Sequence, residues 1–386
     1  MSEDLQSAAP SDKPIVAPPA RWTTQAQRAI VTAFGVAVAT LFVFIFVEGT
    51  SSVVIFAQRV LAYRPAAETH HTRFDKLLGW VNKPNVYIPD MYGPGIYLRT
   101  NARAFRNNHD IHRVVPEGKL RLICSGDSFT LGYGVDNDHV FCERVAVLEP
   151  RLEPVNMGQA GYGIDQAFLW YQRDGSAIDH DIHVFAFITD DFWRMQTSRY
   201  NGYAKPVLRV RNGTLVTENV PVPETGALAP WLVQVQAAAA GLRTLALAEK
   251  IQRRGSARET EGGRALEEQT RDIALKVFTT LAEANRSKNS TLMLVYLPTK
   301  WDYADNDGVT DVTRIWLRTE AAKRGFPFVD LVEEFRKLPR DRADEMFISG
   351  HWHYTPAGNE WVARALHQRL LSDAGIQRRL NALPQS

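Results

Sequence analysis

A serine becomes a nucleophile when a base takes its proton and donors receive the charge that develops on the attacked carbonyl oxygen. The chain offers residues for each task. Gly126-Asp127-Ser128 closes the apolar run KLRLICSGDS, so Ser128 falls at a strand-to-helix turn with its own N–H available to an oxyanion. A helix N-cap is the structural alternative for a serine there. The block Asn156-Met157-Gly158-Gln159-Ala160-Gly161-Tyr162-Gly163 follows a second apolar run, and its glycines let the backbone approach a substrate closely. Thr189-Asp190-Asp191 ends a third run. Near the C-terminus, Gly350-His351-Trp352-His353-Tyr354-Thr355-Pro356 leads into a helical pattern, and histidine suits a general base near neutral pH. His351 and His353 also invite a zinc reading, but spacing identifies no third ligand.

Taken in order, GDSFTLGYGV, VNMGQAGYG, ITDDF and HYTPAGNEWVA resemble the SGNH hydrolases, also called GDSL-like esterases, over roughly residues 75–375. The resemblance implies a flavodoxin-like α/β protein that hydrolyses or transfers acyl esters with no metal and no organic cofactor. It implies Ser128 as nucleophile and Gly161, with the Ser128 N–H, as oxyanion donor. His353, which precedes Gly358 at the family spacing, is implied as the base, with His351 in reserve. Two positions depart from the pattern. Asp190 occupies the slot where the family presents an Asn amide, and an ionised carboxylate cannot donate to an oxyanion. Gly350 stands where an Asp commonly precedes the histidine, which leaves Asp330, Asp341, Asp344 or a backbone carbonyl to orient the ring.

The elements that must hold these residues are legible as alternation. Strand-like runs at 120–126, around Val155, at 183–188, 290–298 and 326–331 alternate with helical stretches at 139–149, 165–173, 265–286 and 312–324. That pattern predicts a three-layer parallel sheet whose strand C-terminal ends open into the ligand site. An insertion at about 198–262 interrupts it. Asn212-Gly213 between alternating apolar residues predicts a hairpin there, followed by a helix at 233–252 and a polar linker at 253–263. Residues 66–118, rich in Pro, Asn, Tyr and His, read as loops and short strands wrapping the larger body.

From Ala29 to Val47 the chain carries no charge, and a helix of that length spans about 28 Å, near the thickness of a bilayer core. We expect residues 1–28 as a disordered cytoplasmic tail, 29–63 as a transmembrane anchor and stalk, and 64–386 as an extracytoplasmic domain. Arg21 and Arg28 favour a cytoplasmic N-terminus at an inner membrane, with the body in a periplasm. The 386 residues hold 45 basic and 43 acidic side chains, a balance that argues against a nucleic-acid surface. Two cysteines exclude a disulfide framework; Cys124 reads as a buried small hydrophobe, and a bridge to Cys142 stays open. The expectation is a membrane-anchored serine esterase or O-acyltransferase acting on acyl esters, acetyl foremost, of envelope or secreted glycans. The alternative is an impaired scaffold of the same fold that binds glycan or a membrane protein partner.

Overall fold

The computed structural model describes residues 24–62, 70–224, 232, 235, 261–303, 309–349 and 351–384. Residues 1–23 of the expected tail, most of the helix and linker after the hairpin, and Gly350 lie outside the described residues, whereas residues 24–28, expected as disordered tail, are helical. Two units are distinct, the N-terminal helix and the body. The first is one continuous helix, α1 (Thr24–Ala62), which merges the expected anchor and stalk. Its stretch Gln27–Gln58 is long and apolar enough to cross a membrane. Phe34, Phe42 and Phe46 along it are exposed, unlike the side chains of a buried core helix.

The body is built on five strands: β1 (Leu120–Gly126), β2 (Leu152–Gly158), β3 (Ile182–Phe187), β4 (Thr291–Tyr296) and β5 (Phe328–Asp330). All pair in parallel in the order β2-β1-β3-β4-β5, the flavodoxin-like arrangement. Successive side chains alternate between two cores. Leu122, Val184, Ala186, Met293 and Val295 pack on one face, Ile123, Phe185, Phe187, Leu292 and Leu294 on the other. Because both faces are covered, the strands read as continuous apolar runs.

On the first face lie α3 (Phe141–Leu148) and, near the chain end, α10 (Pro356–Ser372) and α11 (Ala374–Asn381). The second face is covered by α4 (Ile164–Trp170), α6 (Glu261–Ser287) and α7 (Val309–Arg324). Short helices α2 (Ser128–Leu131) and α5 (Thr189–Arg194) cap the C-terminal ends of β1 and β3, and α8 (Val332–Phe335) and α9 (Arg340–Glu345) follow β5. The polar linker ends earlier than its composition suggested, since α6 already begins at Glu261. Val207–Arg211 and Thr214–Glu218 form the expected hairpin, and both turn residues, Asn212 and Gly213, take positive φ.

Before the sheet, Thr72–Asp75 pairs with Gly79–Asn82 in a hairpin laid against the second core through Leu78, Trp80 and Val81. Buried charge also fastens the outer segments. Lys205 and Asp165, both fully buried, form an ion pair that joins the inserted region to the start of α4. Cys124 is buried as expected, yet it is disulfide-bonded to Cys142, linking β1 to α3 four residues before Ser128.

Candidate active site

β1 is the point where strand order reverses, with β2 on one side and β3 on the other, and such a reversal opens a crevice at the strand C-termini. Ser128 lies there, at the first position of α2. Asp127 caps this helix by accepting the Phe129 N–H at 2.9 Å, so the cap role belongs to Asp127 and the Ser128 hydroxyl is left for other work. Gly158, ending β2, is required by crowding: a Cβ there would lie 1.9 Å from the Leu131 nitrogen of α2.

The histidine beside Ser128 comes from 225 residues away. His353 Nε2 lies 2.7 Å from Ser128 Oγ, and both residues are only 6% exposed. His353 sits just before α10, whose first turn is set by the Thr355 side chain accepting the Gly358 N–H and by Pro356. Backbone bonds from Ile348 N to His353 O and from Thr355 N to Met346 O hold the loop. Gly358 is needed because a methyl there would meet the Met346 carbonyl oxygen at 2.3 Å, which gives the spacing from His353 a steric reason.

His353 Nδ1 lies 2.8 Å from His351 Nδ1. Two imidazole nitrogens at that distance share one proton, and when His353 carries it, Nε2 is left bare to accept from Ser128. His351 thus fills the orienting place for which the sequence suggested a carboxylate. The candidates Asp330, Asp341 and Asp344 lie elsewhere: Asp330 binds Arg314 and Arg318, Asp344 binds Arg340, and Asp341 is exposed on α9. Among the described residues, no group of three or more His, Cys, Asp or Glu side chains suits a metal ion. Burial, then the neighbouring His351 and Arg194, hold the His353 pKa well below its ordinary value, so the ring is neutral at neutral pH.

Two backbone donors face no partner among the described residues, the N–H groups of Ser128 and Gly161. Gly161 has φ +75°, a conformation that a side chain disfavours. Its peptide is aimed from outside the sheet. The Trp80 indole donates to the Ala160 carbonyl at 2.9 Å, and in a trans peptide the Gly161 N–H then points the opposite way. Tyr162 Oη donates back to the Trp80 carbonyl, and Gln166 Nε2 donates to Leu78 O at 2.7 Å.

Of the Asp190-Asp191 pair, Asp190 is exposed in the first turn of α5, while the buried Asp191 accepts the Ile188 N–H. Arg194, on the same helix, places Nη1 at 2.6 Å from Asp191, 3.0 Å from Asp127 and 3.0 Å from the Tyr162 carbonyl. It ties the nucleophile turn to the glycine loop. Burial pushes the Asp127 and Asp191 carboxyls up, and Arg194 opposes it.

Sequence reasoning missed three positioning residues. Arg106 is buried without a carboxylate partner and donates to the carbonyls of Leu131 and Gly132 at 2.6 Å each, to Val135 O and to Asn137 Oδ1. It clamps the loop that carries Tyr133, whose ring stacks on His351 at 7° and 5.2 Å and lies 4.7 Å from His353. Trp80 is the third. No local spacing marks any of them, since each acts on an element distant in the chain.

No protein-family model and no curated protein matches the chain by sequence. Solved structures do. The chain is similar to G-D-S-L lipolytic proteins. A member of that family from Veillonella parvula is 15% identical, with 66% of this chain and 100% of that one covered and a TM-score of 0.37. The acetyl xylan esterase AlAXEase is 12% identical, covering 65% of this chain and 100% of that one with a TM-score of 0.40. A lipase/acylhydrolase from Enterococcus faecalis is 12% identical over 69% of this chain and 100% of its own, TM-score 0.37.

Proposed function

We propose that the chain is a membrane-anchored serine esterase or O-acyltransferase of the SGNH type that works on acyl esters, acetyl foremost, carried by envelope or secreted glycans. The observation that carries the reading is the line from Ser128 Oγ to His353 Nε2 and on from His353 Nδ1 to His351 Nδ1, at 2.7 and 2.8 Å. Ser128 Oγ attacks the acyl carbonyl while its proton passes to His353 Nε2. The oxyanion lies between the N–H groups of Ser128 and Gly161. The imidazolium, disfavoured by burial, gives its proton to the leaving alcohol, and an acyl-serine remains. Water then releases the acid, or a sugar hydroxyl takes the acyl group; either acceptor loses its proton to His353 as it attacks, and His353 passes that proton to Ser128 Oγ as the acyl–Oγ bond breaks.

Helix α1, with Arg21 and Arg28 on its N-terminal side, supports an N-terminus in the cytoplasm and a body in the periplasm, as a single-pass protein of the inner membrane. The Cys124–Cys142 bond supports the same side, since structural disulfides persist in oxidising compartments. The scaffold reading draws on Asp190, which cannot donate to an oxyanion while ionised.

Hydrolysis of p-nitrophenyl acetate by the full chain in detergent micelles separates the two. Turnover that disappears in both Ser128→Ala and His353→Ala is the expected result. Wild-type turnover no higher than that of the variants overturns the enzyme reading in favour of the scaffold.

A further inference from the structure

Tryptophan is rarely left in water without a use, because its large apolar face gains more from contact than any other side chain. Trp80 and Trp170 are buried, whereas Trp193, Trp301 and Trp352 are 52%, 63% and 54% exposed. All three belong to the edge that holds Ser128. Trp193 lies on α5 directly after β3, Trp301 in the turn Lys300–Tyr303 after β4, and Trp352 between the two histidines. The segments are fastened to one another. The hydroxyls of Thr189 and Tyr296 share a hydrogen bond across the ends of β3 and β4, and Tyr354 Oη donates to the Pro298 carbonyl at 2.5 Å. The Trp352 ring lies 5.4 Å from His351 and 6.3 Å from His353.

We propose that Trp193, Trp301 and Trp352 form a carbohydrate-stacking rim around the nucleophile, so that the ester presented to Ser128 is carried on a sugar polymer. The inference rests on the esterase reading and assigns the residues that would hold its glycan substrate. A pyranose offers one apolar C–H face to an aromatic ring and a girdle of hydroxyls that need polar neighbours. The chain neighbours of these rings are Phe192, Arg194, Lys300, Asp302, His351 and His353, of which only Phe192 is apolar, and it is buried in the core. Lys300 Nζ itself lies 4.9 Å from the centroid of the Trp301 ring. A surface for fatty acyl chains would pair the same rings with Leu, Ile or Val. Ser128 is nearly buried, which suits a small acyl group projecting from a chain that lies along the rim.

The test reads binding alone, so it stands apart from turnover. Full-length Ser128→Ala in detergent micelles is run by affinity electrophoresis through gels holding O-acetylated xylan, glucomannan or alginate. At least one polymer is expected to retard it, with the dissociation constant raised about 3- to 10-fold by Trp193→Ala or Trp301→Ala. Trp193→Tyr and Trp301→Tyr, which keep a ring and guard against misfolding, are expected to fall between. Retardation by none of the polymers overturns the rim, as does retardation that all four substitutions leave unchanged. Loss of p-nitrophenyl acetate turnover on Ser128→Ala reports on the serine chemistry separately, whichever way the gels run.

Discussion

The body contains two serine–histidine pairs of nearly equal length, three residues apart on the same segment. Ser125 Oγ lies 2.8 Å from His183 Nε2, and Ser128 Oγ lies 2.7 Å from His353 Nε2. The first has a third member too, Asn285, whose Nδ2 is 3.1 Å from His183 Nδ1. Distance and triad-like order therefore do not make a site. The Asn285 amide donates to Nδ1, which puts the ring proton on Nε2, so His183 donates to Ser125 and cannot take its proton. Ser125 also lies inside β1, with its backbone in the ladder, and His183 is buried and stacked at 3.9 Å on Tyr171. Ser128 lies two residues past the strand, where its N–H is unclaimed and the second ring nitrogen of its histidine faces another imidazole. Tautomer, free donors and position at the strand end distinguish a reactive pair from a structural one.

Substitution at the two pairs should give the widest contrast. Ser128→Ala or His353→Ala is expected to lower kcat/KM by roughly 10⁴-fold or more with little change in melting temperature. Ser125→Ala should keep turnover within about threefold and cost about 1–3 kcal/mol of stability, because it orphans the buried His183 N–H. Matching kinetic losses at Ser125 and Ser128 would erase the distinction. Next in size, His351→Ala should lower kcat about 10²- to 10³-fold by freeing the His353 ring, and His351→Asp should recover much of the loss. An unaffected kcat in His351→Ala would leave His353 oriented by something else. Gly161→Ala, forced to positive φ, should lower kcat about 10- to 100-fold while KM changes less.

The pH dependence of stability sharpens the comparison further. Burial holds the His183 pKa well below its ordinary value and brings that of His71 down to about 3. Both rings are neutral in either state above pH 7.5; below pH 6.5 only the unfolded chain takes the protons. Stability is therefore lost as pH falls, by about 1.4 kcal/mol per buried histidine between pH 7.5 and 5.5. Urea titrations at the two pH values measure it, and His183→Gln should remove one share. The smallest effect is expected at Asp190→Asn. Removal of an exposed carboxylate near the oxyanion should raise turnover a few-fold at most, and a fall would give Asp190 a different task.

The sheet and the Ser128 and His353 turns were legible in the sequence because each is local. Five apolar runs between helical stretches specify the strands, and Gly-Asp-Ser and the spacing from His353 to Gly358 each reflect one turn's packing. His351 was visible only as a reserve base, since its role depends on which nitrogen faces its neighbour. The carboxylate sought for His353 was absent because an imidazole stands there. Arg106 and Trp80 lay in a stretch read as wrapping loops, and their roles exist only once Leu131, Gly132 and Ala160 are brought beside them. The same holds for Cys124, whose partner comes from a helix on the sheet's face. The sequence singled out Asp190, yet the turn of α5 leaves it exposed and sends Asp191 inward.

The separation of 225 residues between Ser128 and His353 has a consequence for how the protein comes into being. The proposed nucleophile is synthesised early and its proposed base near the end of the chain. Throughout translation, and throughout passage of the body across a membrane if the proposed topology holds, Ser128 is an ordinary hydroxyl with no group to receive its proton. A message that stops before codon 353 yields a chain with the Gly-Asp-Ser turn and the glycine loop but no ester chemistry. On the proposed mechanism, the order of the residues along the chain acts as a timer, delaying reactivity until almost the whole body has been made.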